Sequence, residues 1–144
     1  MKILLPVDGS ELSLKAVRLA VDLLRQGLSG TLVLANVQEP ATLYEMVVAP
    51  DGEVLRRVAT AAGVDALQAA EALVLAEGVV YEREVATGDP AHMLVEIGER
   101  FGCDMIIMGA RGIGAMRSAL LGSVSQEVLH AAQVPVVIVK PDQD

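Results

Sequence analysis

The chain has 144 residues, 53% of them hydrophobic and 21% charged, enough for a single domain over 1–144 with a sizeable core. Nineteen acidic against 11 basic residues leave a formal charge of −8, which argues against a nucleic-acid or anionic-membrane surface and requires any phosphate ligand to be held by local geometry. No apolar stretch is expected to reach the ~18 residues of a membrane span, Met1-Lys2-Ile3-Leu4-Leu5 runs into Pro6 and Asp8 without a signal-peptide cleavage region, and Cys103 is the only cysteine, so the expectation is a cytoplasmic protein with no intrachain disulfide.

In chain order, a first strand is predicted over 2–7 (KILLPV), followed by Asp8 or Ser10 as the cap of a helix over 10–26. Leu12, Ala16, Leu19, Ala20 and Leu23 make that helix's core-facing stripe. A second strand over 31–38 (TLVLANVQ) leads into an irregular connection, 39–50, placed to cover the edge of a pocket, and then a helix over 52–77. The strand over 79–86 carries Glu82, Arg83 and Glu84, the mark of a solvated edge. Asp89 then places a capping carboxylate before Pro90, whose missing N–H costs nothing in the first turn of a helix over 90–101. A fourth strand over 104–109 (DMIIMG), a helix over 123–133 opened by the capping-box sequence Ser123-Val124-Ser125-Gln126, and a last strand over 135–140 complete the chain. Short β-branched runs alternating with longer amphipathic ones predict an α/β fold, a parallel sheet covered by helices on both faces.

In such sheets a ligand sits beyond the carboxyl ends of the strands, where neighbouring crossovers leave to opposite faces. The strand ends are Pro6-Val7-Asp8-Gly9, Ala35-Asn36-Val37, Thr87-Gly88-Asp89 and Met108-Gly109. The most informative of them opens Gly109-Ala-Arg-Gly112, followed after nine residues by Gly122-Ser123 at the start of a helix. Glycines there let backbone amides approach a phosphate, and a helix N-terminus adds unpaired N–H groups and a positive dipole end. Asp8 ends the first strand and has two readings, a carboxylate for ribose hydroxyls or a divalent cation, and a plain helix cap. Arg111 and Arg117 lie in the loop, either to pair with phosphate oxygens or to stand in solvent.

Other chemistries find less support. A phosphate loop of the G-x4-G-K-S/T type needs a lysine after Gly114, where Ala115 and Met116 follow. The first strand ends in Asp8-Gly9-Ser10 rather than a dinucleotide fingerprint, and Lys140 lies too far beyond Thr87 for a response-regulator receiver. His92 and His130 both fall inside predicted helices, and no hydroxyl has an evident base beside it, so no catalytic residue is assigned.

The G-x2-G-x9-G-S/T spacing resembles the ATP-binding motif of the universal stress protein family, and the likeness extends to Pro6-Val7-Asp8-Gly9-Ser10, the Gly88-Asp89-Pro90 turn and the terminal Val-Pro-Val-Val-Ile-Val. The resemblance implies a five-stranded doubly wound sheet of order 3-2-1-4-5 with its switch point between strands one and four. It assigns Asp8 to the ribose and adenine side, and Val37, Pro6, Val7 and Met108 to the adenine pocket; that Asp8 could also hold Mg²⁺ rests on its carboxylate alone. Gly109, Gly112, Gly122, Ser123, Val124 and Ser125 would then surround the phosphates of ATP; Arg111 is added to them on its charge and place in the loop alone. In that strand order the fifth strand is an edge with no charge before Lys140, so an antiparallel homodimer through 134–140 is expected. The function implied is a nucleotide-dependent stress-response or signalling module; the alternatives are an interaction homodimer with no bound nucleotide and a weak ATPase.

Overall fold

The computed structural model describes residues 1–40, 51–112 and 121–142. Five strands form one sheet: β1 (Lys2–Pro6), β2 (Thr31–Gln38), β3 (Tyr81–Thr87), β4 (Met105–Gly109) and β5 (Val136–Val139). Between them run α1 (Glu11–Arg25), α2 (Gly52–Ala76), α3 (Pro90–Arg100) and α4 (Ser123–Ala131). All four strand pairings are parallel and the order is β3-β2-β1-β4-β5, as the family resemblance implied. The central strands read as nearly unbroken apolar runs because helices cover both of their faces. Ile3, Leu5, Val7, Leu32, Leu34 and Ile107 pack beneath Ala16, Val17 and Ala20 of α1 and Leu67, Ala70 and Val74 of α2. On the other face Leu4, Val33, Ala35, Ile106 and Met108 meet Ala91, Leu94 and Ile97 of α3 and Val128 of α4. Each fully buried Leu, Ile or Val contributes ~1.5–3 kcal/mol, so these two layers dominate stability.

Local signals set the element ends. The Ser10 hydroxyl caps α1 by accepting from the Ser13 N–H at 3.2 Å, and Asp89 caps α3 by accepting from the His92 N–H at 3.1 Å, with Pro90 just behind it. At the end of α2, Gly78 adopts φ +68° and donates to the Leu75 carbonyl while Val79 donates to Val74. This closure consumes two otherwise orphaned carbonyls. It also holds Val79 in the turn, which is why β3 begins at Tyr81 rather than at 79.

Two expectations are corrected. Ser123 does not cap α4: the cap is Gly122, with no side-chain cap bond, and Ser123 is the first helical residue. The capping box fails because Ser125 turns inward and Gln126 reaches the Leu121 carbonyl at 3.2 Å instead of the cap's own N–H. Helix α2 is long and apolar enough, by length and composition, to cross a membrane, because Asp65 and Glu71 are diluted among alanines, leucines and valines. Here it packs one stripe, Gly63, Leu67, Ala70 and Val74, on the sheet and leaves Glu53, Arg56, Arg57, Asp65 and Gln68 exposed.

Strand β3 is an edge and its charges are paired across elements: Lys2 with Glu82 at 3.5 Å, Arg83 with Glu71 at 3.1 Å, and Arg100 with Glu84 at 3.1 Å. At such exposure each pair is worth ~0–1 kcal/mol. Their clearer effect is to discourage further strand pairing on that side.

Candidate functional site

Helix α1 leaves β1 toward one face of the sheet and α4 leaves β4 toward the other, so a crevice opens past the carboxyl ends of these two neighbouring strands. Pro6 ends β1, and Val7 continues it by donating to the Ala35 carbonyl at 2.8 Å. The Val7 side chain is buried at 2% exposure in the layer under α1 and α2, so only its main chain borders the crevice. Asp8 follows, half-buried, with Oδ1 accepting from the Ser10 N–H at 2.9 Å. Its other oxygen, Oδ2, lies where a β-carbon on Gly112 would stand. The first strand's exit and the loop after the fourth strand are thus in contact.

The loop is tied at both ends. Ala110 donates to the Val139 carbonyl of β5 at 2.8 Å, and its own carbonyl accepts from the Gly122 N–H at 2.8 Å and from the Ser125 hydroxyl at 2.6 Å. That second stitch joins residues 109–112 to the start of α4. None of Gly109, Gly112 and Gly122 has a positive φ, so they are needed for close approach rather than for an unusual backbone. A β-carbon at 109 would stand 3.0 Å from Leu12 Cγ, and one at 122 would stand 3.2 Å from the Arg111 α-carbon. The first helical bond of α4 runs from the Gln126 N–H to the Gly122 carbonyl at 3.1 Å. The amides of Ser123, Val124 and Ser125 precede it and point out of the helix's positive end, and among the described residues the cap makes no side-chain bond to them. Three such donors in a row, on a chain whose net charge is negative, are what local anion binding requires.

The structure brings Asp8, Gly109, Arg111, Gly112, Gly122, Ser123 and the three amides into this one region. Met108, 5% exposed, and the partly buried Val37 lie on the α3/α4 side of the sheet, opposite the Val7 side chain. Strand alternation turns the main chain of Val37, like that of Ala35, toward the β1 side of β2, while Gln38 pairs with Gly88 on the β3 side. The β1–β2 register ends at Pro6–Ala35, so the Val37 peptide groups face the space beyond it. Ser125 is 2% exposed and its single hydroxyl proton is engaged with the loop backbone, which leaves its amide as the outward donor. Ser123, in contrast, is exposed. Arg117, Gly114 and residues 41–50 of the connection after β2 lie outside the described residues.

Residues set aside on sequence grounds lie elsewhere. His92 is exposed on α3 with Nε2 3.9 Å from Glu96, and His130 is exposed on α4. Burial pushes the Cys103 thiol up to about 11, in the core under α3. Among the described residues no group of three or more His, Cys, Asp and Glu side chains could hold a metal ion. Sequence reasoning missed the role of Asn36, buried at 3% and hydrogen-bonded to the Val7 carbonyl. The available signal was that it is the one polar residue inside the apolar run LVLANV.

A doubly wound sheet with an uncapped helix N-terminus at its switch point defines the class of α/β domains that bind ligands at strand ends. Residues 1–140 match the universal stress protein family. The universal stress protein YxiE of Bacillus subtilis is 30% identical over 145 residues, covering 96% of this chain and 98% of that protein. The structure described as a structure-based functional assignment of hypothetical protein MJ0577 superposes with a TM-score of 0.84 at 26% identity, covering 99% of this chain and 97% of that one. A universal stress protein solved in complex with cAMP superposes with a TM-score of 0.67 at 25% identity, covering 96% of this chain and 95% of that one. The chain belongs to the universal stress protein family.

Proposed function

We propose that this protein binds ATP with Mg²⁺ at the β1–β4 switch point and acts as a nucleotide-dependent stress-response module. The observation that carries the reading is the meeting of Asp8 and Gly112 beside three amides at an uncapped helix start. Such amides suit phosphate oxygens, and the Asp8 carboxylate suits ribose hydroxyls or a cation beside the phosphates. Pro6, Val37 and Met108 would form the adenine side. The cAMP complex of a relative supports an adenine nucleotide as the ligand class. Edge strand β5, with Val136, Val137 and Ile138 only partly buried and no charge before Lys140, supports pairing with a second copy of the chain.

The test has two parts. Purified protein is denatured and any released adenine nucleotide is identified by chromatography; then ATP-Mg²⁺ is titrated against wild type and Gly122→Val. A branched side chain at 122 must displace Arg111, since even a β-carbon would stand 3.3 Å from its Cβ. Wild type should bind and Gly122→Val should not. Equal binding by the two, or no binding by wild type, overturns the assignment.

A further inference from the structure

We propose that Asn36 is a positioning residue for the crevice: its buried carboxamide ends the β1–β2 ladder, orients the Val7–Asp8 peptide, and so sets how well Asp8 reads ribose hydroxyls. The proposal rests on the nucleotide reading above and adds to it a residue that makes no contact with the ligand.

The geometry is specific. Asn36 Nδ2 donates to the Val7 carbonyl at 2.9 Å, and its Oδ1 accepts from Gln38 Nε2 at 2.8 Å. The Val7 bond settles which way the amide faces, because a backbone carbonyl only accepts and a flipped carboxamide would set oxygen against oxygen there. In a continuing parallel ladder the Val7 carbonyl would accept from the Val37 N–H. The carboxamide takes that carbonyl instead, and the register stops at Pro6–Ala35.

The Val7 carbonyl and the Asp8 N–H belong to one planar unit, so holding one end of it fixes the other. With the Val7 N–H already bound to Ala35, both sides of Val7 are gripped by β2 and the chain enters Asp8 along a set direction. Helix α2 makes the room: a β-carbon on Gly63 would stand 2.9 Å from Asn36 Oδ1 and would run into Val85 Cγ1. Hence β1, β2 and α2 converge on this buried carboxamide. A buried amide with both ends bonded costs little, whereas removing its donor leaves the Val7 carbonyl without this partner and free to tilt.

The experiment measures Kd for ATP and for 2′-deoxy-ATP in wild type, Asp8→Ala, Asn36→Leu and the double variant Asp8→Ala/Asn36→Leu. Asn36→Asp is the second probe, since it keeps the volume and the acceptor for Gln38 but replaces the amide donor. Wild type should prefer ATP by roughly tenfold, the worth of one good hydrogen bond to a charged acceptor. Asp8→Ala and whichever Asn36 variant folds should both bring the ratio close to one, and the double variant should bring no further change. A purely structural role for Asn36 would weaken both nucleotides equally and leave the ratio alone. A retained ratio in the Asn36 variants, or a wild-type ratio near one, overturns the proposal while leaving nucleotide binding intact. Failure of wild type to bind ATP at all overturns the site assignment itself.

Discussion

Replacing Gly112 with alanine probes the contact on which the crevice depends. The new β-carbon would meet Asp8 Oδ2, and because Gly112 has no positive φ the substitution carries no backbone strain, so its effect on the folded state is that contact. The carboxylate cannot simply turn away, since its Oδ1 is held by the Ser10 N–H at 2.9 Å. If it stays, overpacking costs ~1–3 kcal/mol, toward the low end at this exposed residue. If it swings out, the Asp8–Ser10 bond, whose acceptor is charged, is lost, at ~1.5–3 kcal/mol. The cheaper route sets the cost, about 1 kcal/mol. In an Asp8→Ala background the obstacle is gone and Gly112→Ala should be neutral to slightly stabilising, because alanine loses less backbone entropy on folding. The coupling of about 1 kcal/mol exceeds the ~0.3–0.5 kcal/mol scatter of independent sites. Urea denaturation of the four proteins, compared at a common m-value, reads it directly. An equal cost in both backgrounds would refute the contact. The same substitution should weaken ATP by about tenfold, because it crowds the carboxylate proposed to face the ligand.

Ser125→Ala should lower stability by ~0.5–1.5 kcal/mol, because the buried Ala110 carbonyl loses its hydroxyl donor but keeps the Gly122 N–H. Ser123→Ala, at an exposed position with no cap bond, should change stability by less than ~0.5 kcal/mol while weakening ATP several-fold. Equal stability losses in denaturation would contradict the assigned roles. The Cys103 thiol should resist alkylation in the native protein at neutral pH and react after unfolding; prompt native labelling would show that it is not sealed. Since unfolding returns this thiol to its usual value near 9.0 from about 11, unfolded chains lose the proton first as pH rises. Its burial therefore subtracts stability progressively above pH 9.0, with the loss complete near 11. Ile138→Lys on the bare edge of β5 should sediment as a monomer, and an unchanged dimer would remove the proposed pairing.

Much of the fold was legible because the signals are local. Periodicity located all nine elements among the described residues to within about two residues, and Ser10 and Asp89 announce helix starts that they do in fact cap. Strand order was another matter: it came from the likeness of motifs across the chain, since hydrophobic pattern alone cannot say which strand lies beside which. At the crevice the glycine spacing was read as room for a phosphate; what the structure shows at 109, 112 and 122 is close approach between chain segments. The spacing could not say what each glycine accommodates.

What the residues alone determined is the sequence of strands and helices, the apolar faces they must bury, and a run of glycines before a helix start. These follow from preferences that act within a few residues. Only the tertiary structure decided that Gly122 rather than Ser123 caps α4, that Ser125 turns inward to Ala110, that Gly112 makes room for Asp8, and that Asn36 takes the Val7 carbonyl. Each of these depends on sheet register between segments distant in sequence, and a polar side chain chooses its partner only after packing has settled which carbonyl or amide comes within reach.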